Sequence, residues 1–250
     1  MLKNEREREI LNFMKSKNGF ATVKDLCDTL YVSESSIRRD LSALEHRGAV
    51  RRTHGGAELV SNFSNAIAFS RRSRHNMSAK KLIAKKAAAL VKDGDIIFLD
   101  QSSSAYFLAA EIMENATLTV VTNNVEIINL LADSKIKIIA SGGILFSENR
   151  ACLVGADAER VFSEIYADLL FFSTKSLSYD GIISDPTREE VLVRRSMMKN
   201  AKRIVYLCDS EKFGERSAYK QCDLSEIDVL VSEAEPDERI RSIASEITII

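Results

Sequence analysis

Apolar side chains recur at helical spacing through the first fifty residues, alternate briefly, and then settle into a repeating order of helical and extended stretches. Residues 5 to 17 place Ile10, Leu11, Phe13 and Met14 together, and Asn18-Gly19 can adopt the left-handed cap that ends such a helix. Thr22 with Asp25 three residues on predicts a capped second helix, on which Val23, Leu26, Cys27 and Leu30 form an i, i+3, i+4, i+7 stripe. Ser33 then caps a third helix whose Ile37, Leu41 and Leu44 share one face, with Gly48 at its stop. Val50-Arg51-Arg52-Thr53 alternates as a strand does, His54-Gly55-Gly56-Ala57 reads as a turn, and a second short strand begins at Glu58. Three short helices followed by a small hairpin predict a winged helix-turn-helix over residues 1–60.

Residues 61–77 are polar and rich in Ser, Asn and Arg, the composition of a linker. Beyond them, helices are expected over 78–92, 105–114, 125–132, 156–164, 189–201 and 236–246, and strands over 96–100, 118–122, 136–140, 169–172, 204–208, 229–231 and 248–250. That alternation predicts an α/β domain over residues 78–250, a Rossmann-like parallel sheet with helical crossovers.

At 250 residues and 45% hydrophobic content, the chain can build one large α/β core and a small satellite. No apolar run is long enough to cross a bilayer and the charged start is unlike a signal peptide, so a cytoplasmic protein without a membrane role is expected. Cys27, Cys152, Cys208 and Cys222 are scattered without ligand spacing; they read as buried thiols, with no metal or cofactor expected. The net charge of -1 conceals an asymmetry: residues 1–81 hold 16 Lys and Arg against 9 Asp and Glu, so the front carries +7 and the rest -8. A basic head on an acidic body suits a polyanion-binding head, although a solvated charged surface has the same composition.

On the third helix, opposite the Ile37/Leu41/Leu44 face, projection brings Ser35, Arg38, Arg39, Ser42 and His46 together. Arginine can bond guanine bidentately and small serines let a helix approach base edges, so this face suits the major groove of double-stranded DNA. Two arginines alone would describe an ordinary solvated face. The hairpin that follows, with Arg51, Arg52 and His54 beside Gly55-Gly56, adds cations able to lie along phosphates and favours DNA binding.

The run Ser33-Glu34-Ser35-Ser36-Ile37-Arg38-Arg39-Asp40-Leu41, with Leu44-Glu45, Gly48 and Arg52-Thr53-His54-Gly55-Gly56-Ala57, resembles the signature of the DeoR-type bacterial repressors. Phe69, Lys80, Asp93-Gly94-Asp95 to Asp100, Val121-Thr122-Asn123, Gly142-Gly143, Val154-Gly155 and Asp209 to Gly214 resemble that family's sensor-domain landmarks, so the likeness covers nearly the whole chain. It implies a repressor of a carbohydrate-utilisation operon, released from its operator by a phosphorylated sugar, with a sensor similar in fold to ribose-5-phosphate isomerase. Ser33, Ser35, Ser36, Arg38, Arg39, Ser42, Arg51, Arg52 and His54 are the expected DNA contacts. Palindromic half-sites call for a homodimer or higher homo-oligomer.

A ligand crevice in an open parallel sheet lies at the carboxyl ends of the strands. Asp100 ends a strand there, and Ser102, Ser103 and Ser104 offer hydroxyls and backbone N–H groups to a phosphate at a helix start, where a plain capped turn would look alike. Asn123, Gly142, Gly143, Lys175 and Lys212 follow other strands and complete the expected effector contacts. The chain departs from the family pattern at several points: Ser36 stands where Thr is usual, Ser102 where Gly is usual, and Phe146-Ser147 where Arg-Pro is usual, with Arg150 nearby. Ser173-Thr174-Lys175-Ser176-Leu177 replaces a Gly-Ala-Asp-Gly pattern, so Lys175 inverts a charge and points to an effector with an additional acidic group. The rival readings are an isomerase-like enzyme, for which no convincing acid/base pair accompanies Asp100, and a DNA-binding regulator with a vestigial sensor.

Overall fold

The structure, a computed structural model, describes residues 3–17, 19–46, 49–53, 55–59, 69 and 72–250; of Lys3, Asn4, Lys15 and His46 it describes the backbone. The expectations placed on Asn18, Gly48, His54 and most of the 61–71 stretch lie outside the described residues, as does the side chain of His46. The chain divides into two compact units, residues 1–71 with 147–149 and residues 72–146 with 150–250.

In the first unit, helices α1 (Lys3–Ser16), α2 (Val23–Leu30) and α3 (Glu34–His46) pack with strands β1 (Phe20–Thr22), β2 (Val50–Thr53) and β3 (Gly56–Leu59). Ile10, Met14, Leu26, Ile37 and Leu41 are fully buried at its centre, each burial contributing about 1.5–3 kcal/mol. The capping box is formed: the Thr22 hydroxyl accepts the Asp25 N–H at 3.0 Å, and the Asp25 carboxylate accepts the Thr22 N–H at 3.2 Å. Strand β1 was not expected, because three residues carry no usable period. It pairs antiparallel with β3, giving the order β1-β3-β2. This pairing starts β3 at Gly56 instead of Glu58: a Cβ at Gly56 would lie 2.3 Å from the Ala21 carbonyl oxygen, so only glycine lets the strands close.

In the second unit, α4 (Met77–Ala88) leads into β4 (Ile96–Leu99), α5 (Ser103–Ile112), β5 (Thr119–Thr122), α6 (Val125–Leu131) and β6 (Lys137–Ala140). A two-stranded ribbon follows, β7 (Ile144–Leu145) with β8 (Leu153–Val154), then α7 (Ala156–Glu164) and β9 (Ala167–Phe172). The remainder runs β10 (Ser176–Leu177), β11 (Ile182–Asp185), α8 (Arg188–Lys199), β12 (Ala201–Leu207), β13 (Tyr219–Asp223), β14 (Val229–Val231), α9 (Glu238–Ile243) and β15 (Thr248–Ile249). Seven strands form one parallel sheet in the order β15-β14-β12-β9-β4-β5-β6. Ile97, Leu99, Val120, Phe171, Val205 and Val231 face α4, α5 and α6. Phe98, Val121, Leu170, Phe172, Tyr206 and Leu230 face α7, α8 and α9. Alternate side chains of each strand thus fill opposite layers, the pattern that covers a parallel sheet on both faces.

The seven strands and six helices expected in this unit are present, α7 and β14 with the expected bounds and the others with shifted ends. Within the stretch expected to be linker, residues 72–74 are helical. The last helix shortens to Glu238–Ile243, Asp237 serving as its cap by accepting the Arg239 N–H. The β7–β8 ribbon and the antiparallel sheet β10-β11-β13 were not expected. Cys152, Cys208 and Cys222 are buried as expected; Cys27 is only half-buried.

Candidate functional site

The face of α3 expected to read DNA is set by what the helix buries. Ile37, Leu41 and Leu44 fill the core, and Asp40, 1% exposed, joins them because both its oxygens bond the Arg6 guanidinium of α1. That pairing raises Arg6 above the usual guanidinium range. With this face anchored, Ser35, Arg38 and Arg39 are left exposed and Ser42 half-buried. Arg38 is held along the helix by Glu34, Nε to Oε1 at 2.8 Å, whereas Arg39 has no ion pair or hydrogen bond among the described residues. Ser33 and Ser36 bond each other, hydroxyl to hydroxyl at 3.0 Å, and shape the helix start. The hairpin reaches the same surface: the Arg52 guanidinium donates to the Ser42 hydroxyl at 3.1 Å, and its backbone N–H to Glu45 at 2.8 Å. Arg51 pairs with Glu58 on the neighbouring strand. Tyr31 was missed by sequence reasoning. It caps α2 in the left-handed conformation, φ 54°, and is 93% exposed in the turn before α3.

In the second unit, β4 is the first strand of the sheet yet lies inside it. The chain builds outward to β5 and β6 on one side and, after β9, to β12 and β14 on the other. The order therefore reverses between β4 and β9, with α5, which follows β4, packed on one face and α8, which follows β11, on the other; such a switch point is where an open parallel sheet offers a ligand crevice. The loops at this point are the ones carrying Asp100 to Ser104 and Ser173 to Lys175. Ser102 caps α5 by accepting the Ala105 N–H at 3.1 Å, and Ser103 and Ser104 are buried. The Ser104 hydroxyl has no hydrogen-bond partner among the described residues. Lys212, after β12, donates to the Ser173 hydroxyl at 2.7 Å and pairs with Asp209 at 3.0 Å.

Asp100 is fully buried and already engaged. It accepts the Ser102 N–H at 3.1 Å, the Ser173 N–H at 3.3 Å and the Arg194 Nε–H at 2.8 Å. Arg194, from α8, also pairs with Asp185 and lies 3.5 Å from Glu190, and it donates to Gln221 at 3.2 Å. Three carboxylates thus surround one buried guanidinium. Burial disfavours the Arg194 charge, but Asp185, Asp100 and Glu190 outweigh it and raise the group. For Asp185 burial wins, and its carboxyl is pushed above the ordinary range despite Arg194.

Of the other expected contacts, Asn123 reaches the Asp100–Ser104 loop, its amide bonding the Gln101 side chain at 3.1 Å. Lys175 is exposed, its backbone N–H donating to Asp185 at 3.2 Å. Asn123 is buried and donates to the Leu153 carbonyl at 3.0 Å. Its neighbour Asn124 holds the crevice loop, donating to the carbonyls of Asp100 and Ser102 at 3.3 Å each while capping α6. Gly142 and Gly143 follow the edge strand β6, two strands from β4. At Gly143, φ 99°, a Cβ would lie 2.6 Å from the Val154 carbonyl oxygen, a packing constraint at the ribbon. Arg194 was the main omission. Its signal was a charge on the inward stripe of Glu190, Val193, Arg194 and Met197.

A winged helix-turn-helix with a basic reading face, joined to a Rossmann-like unit with a crevice at its switch point, defines a DNA-binding regulator with a sensor. Residues 6–63 match the DeoR-like helix-turn-helix domain and residues 75–234 the DeoR C-terminal sensor domain, so the chain belongs to the DeoR family. It is 33% identical to the HTH-type transcriptional repressor GlcR of Bacillus subtilis over 95% of this chain and 91% of that one. It is 30% identical to the HTH-type transcriptional regulator GlpR of Haloferax volcanii over 95% and 92%. Among solved structures, ribose 5-phosphate isomerase A of Methanocaldococcus jannaschii is similar at 21% identity and a TM-score of 0.41, over 55% of each chain. The family and both relatives are transcriptional regulators, so the chain is a regulator and the isomerase reading is set aside. Among the described residues no helix is long and apolar enough to cross a membrane.

Proposed function

We propose that the protein represses a carbohydrate-utilisation operon as a cytoplasmic homodimer, and leaves its operator when a phosphorylated sugar enters the crevice between the ends of β4 and β9. The observation that carries the effector part is the buried Ser104 hydroxyl, unpartnered among the described residues, at the start of α5 and beside the N–H groups of its first turn at the switch point. Lys212 supplies a cation at the next strand end, and Lys175, exposed without a side-chain partner among the described residues, suits a second acidic group on the ligand. Ser33, Ser35, Ser36, Arg38, Arg39, Ser42, Arg51 and Arg52 are the DNA contacts of this reading, together with His54.

Thermal melts with inorganic phosphate, fructose 6-phosphate and fructose 1,6-bisphosphate test the effector. The bisphosphate should raise the melting temperature most, by an amount that grows with concentration, and Lys212→Ala should abolish the rise. A larger rise with the monophosphate, improved further by Lys175→Asp, would make Lys175 a lapsed position. One observation favours a vestigial sensor: both oxygens of Asp100 are occupied within the protein. No response to any sugar phosphate, in a protein that still retards its operator, would decide for that reading.

A further inference from the structure

The turn that carries Lys212 is tied on its other side to the residues through which the chain enters the second unit. Ser210–Lys212 is a single 3-10 turn following β12. From it and its cap, three bonds reach residues 72–80 or the crevice. The Asp209 carboxylate accepts the Asn76 amide at 3.3 Å with Oδ1 and pairs with Lys212 through Oδ2. Glu211 bonds the His75 ring at 2.5 Å. Lys212 itself donates to Ser173, whose N–H is bound to Asp100 at the floor of the crevice.

Lys80 closes the arrangement from within. Its side chain is 4% exposed, and its ammonium donates to the carbonyls of Arg72 and His75, both at 2.6 Å. One buried cation therefore fastens both ends of the short stretch that opens the second unit. Burial first, and the neighbouring Lys212 charge second, bring Lys80 down to about 8, while Asp209 favours its charge. Burial acts on Asp209 in the raising direction, but Lys212, Lys80 and Asn76 together bring it below the ordinary carboxyl range. Asp209 is thus balanced between two cations, bonded to one and feeling the other.

We propose that Lys212 is the trigger of a latch: an anion that draws its ammonium away from Asp209 frees that carboxylate to take Lys80, and Lys80 then lets go of the carbonyls of Arg72 and His75. The latch rests on the effector reading above and supplies its regulation. A buried carboxylate cannot be left without a cation, and Lys80 is the cation whose field it already feels. The same capture shifts the turn that holds Glu211 against His75. Residues 72–76 stand directly after those leading from the DNA-binding unit, so their release loosens the chain where the two units are joined in sequence.

Hydrogen exchange on the full-length protein tests this without knowledge of the natural ligand. In Lys212→Ala, amides of residues 72–80 should exchange about tenfold faster, while β9 and α8 keep their protection. Lys80→Met, close in length and uncharged, should do the same, and a thermal melt confirms that each variant is folded. Fructose 1,6-bisphosphate on the unaltered protein should reproduce the local loosening. Unchanged exchange over 72–80 in folded Lys212→Ala overturns the latch, whatever the ligand does. A sugar phosphate that raises the melting temperature but leaves 72–80 protected overturns the latch and spares the effector reading. Absence of any ligand response, with Lys212→Ala still loosening 72–80, overturns the effector reading and the anion trigger, while the coupling of Lys212 to residues 72–80 stands.

Discussion

Arg38 and Arg39 are neighbours in sequence but present different chemistry. Arg38 shares its guanidinium with Glu34, which aligns it along the helix, whereas Arg39 is exposed and unengaged among the described residues. An aligned fork suits a bidentate base contact; a free one suits phosphate. Arg38→Ala should therefore weaken operator binding by about 1–3 kcal/mol while changing random-DNA binding less. Arg39→Ala should weaken both and lower the salt dependence by about one ion. Titrations of an operator selected from a randomised library, repeated at several salt concentrations, distinguish the two; no change with either variant would displace the reading face from this helix. Tyr31 gives a residue-scale prediction about stability. Its left-handed backbone disfavours a side chain with a Cβ by about 1 kcal/mol, and its ring is almost wholly exposed. Tyr31→Gly should raise the melting midpoint of the first unit, and a lowered midpoint would show that the ring is needed.

At the scale of elements, the Arg194 cluster fixes α8, β4 and β11 together with unequal charge. Removing the guanidinium leaves three buried carboxylates, so Arg194→Leu should destabilise the second unit by about 3–5 kcal/mol. Neutralising one acid should act the opposite way. Because the folded Asp185 carboxyl is raised above its unfolded value, its contribution is full at acid pH and is lost as pH rises through the folded value. Asp185→Asn should then melt higher than the unaltered protein at neutral pH, with the difference closing on acidification; an equal or lower midpoint at neutral pH would contradict the charge excess. This cluster also marks what sequence could convey. The Thr22–Asp25 box was legible because both partners lie within one helical turn, and most strands of the large sheet were legible as apolar runs alternating with helical stretches. Asp100 and Arg194 are 94 residues apart and meet only after four crossovers are built. The two-residue strands β7, β8 and β10 carry no period at all, and β1 exists because Gly56 lets β3 approach. Of the crevice, the strand-end positions of Asp100, Ser102 and Lys212 were foreseen, but not that Asp100 would be consumed by the fold.

At the scale of the molecule, the first unit has a small core, twelve buried apolar residues from Ile10 to Leu59 among the described residues, near the lower limit of what folds alone. A fragment ending near residue 60 should still fold, since its capped helices and three-stranded sheet draw their contacts from within the unit. It should bind DNA poorly. One reading helix and one hairpin neutralise few phosphates, and the gain from a second head arises only when both are held on the same molecule. Two linked heads bind the second half-site intramolecularly, which strengthens binding by about 10²–10⁴-fold without any new contact. On the dimer reading proposed above, copies would associate through the second unit, leaving the heads free to take one half-site each. Sedimentation should find the fragment monomeric and the full chain dimeric or larger, and titration should find the fragment at least about a hundredfold weaker on a palindromic operator, with the gap shrinking on a single half-site. A fragment that matches the full chain on the palindrome at moderate salt would mean that one head carries the whole affinity, and that pairing of heads is not what this protein uses to hold its operator.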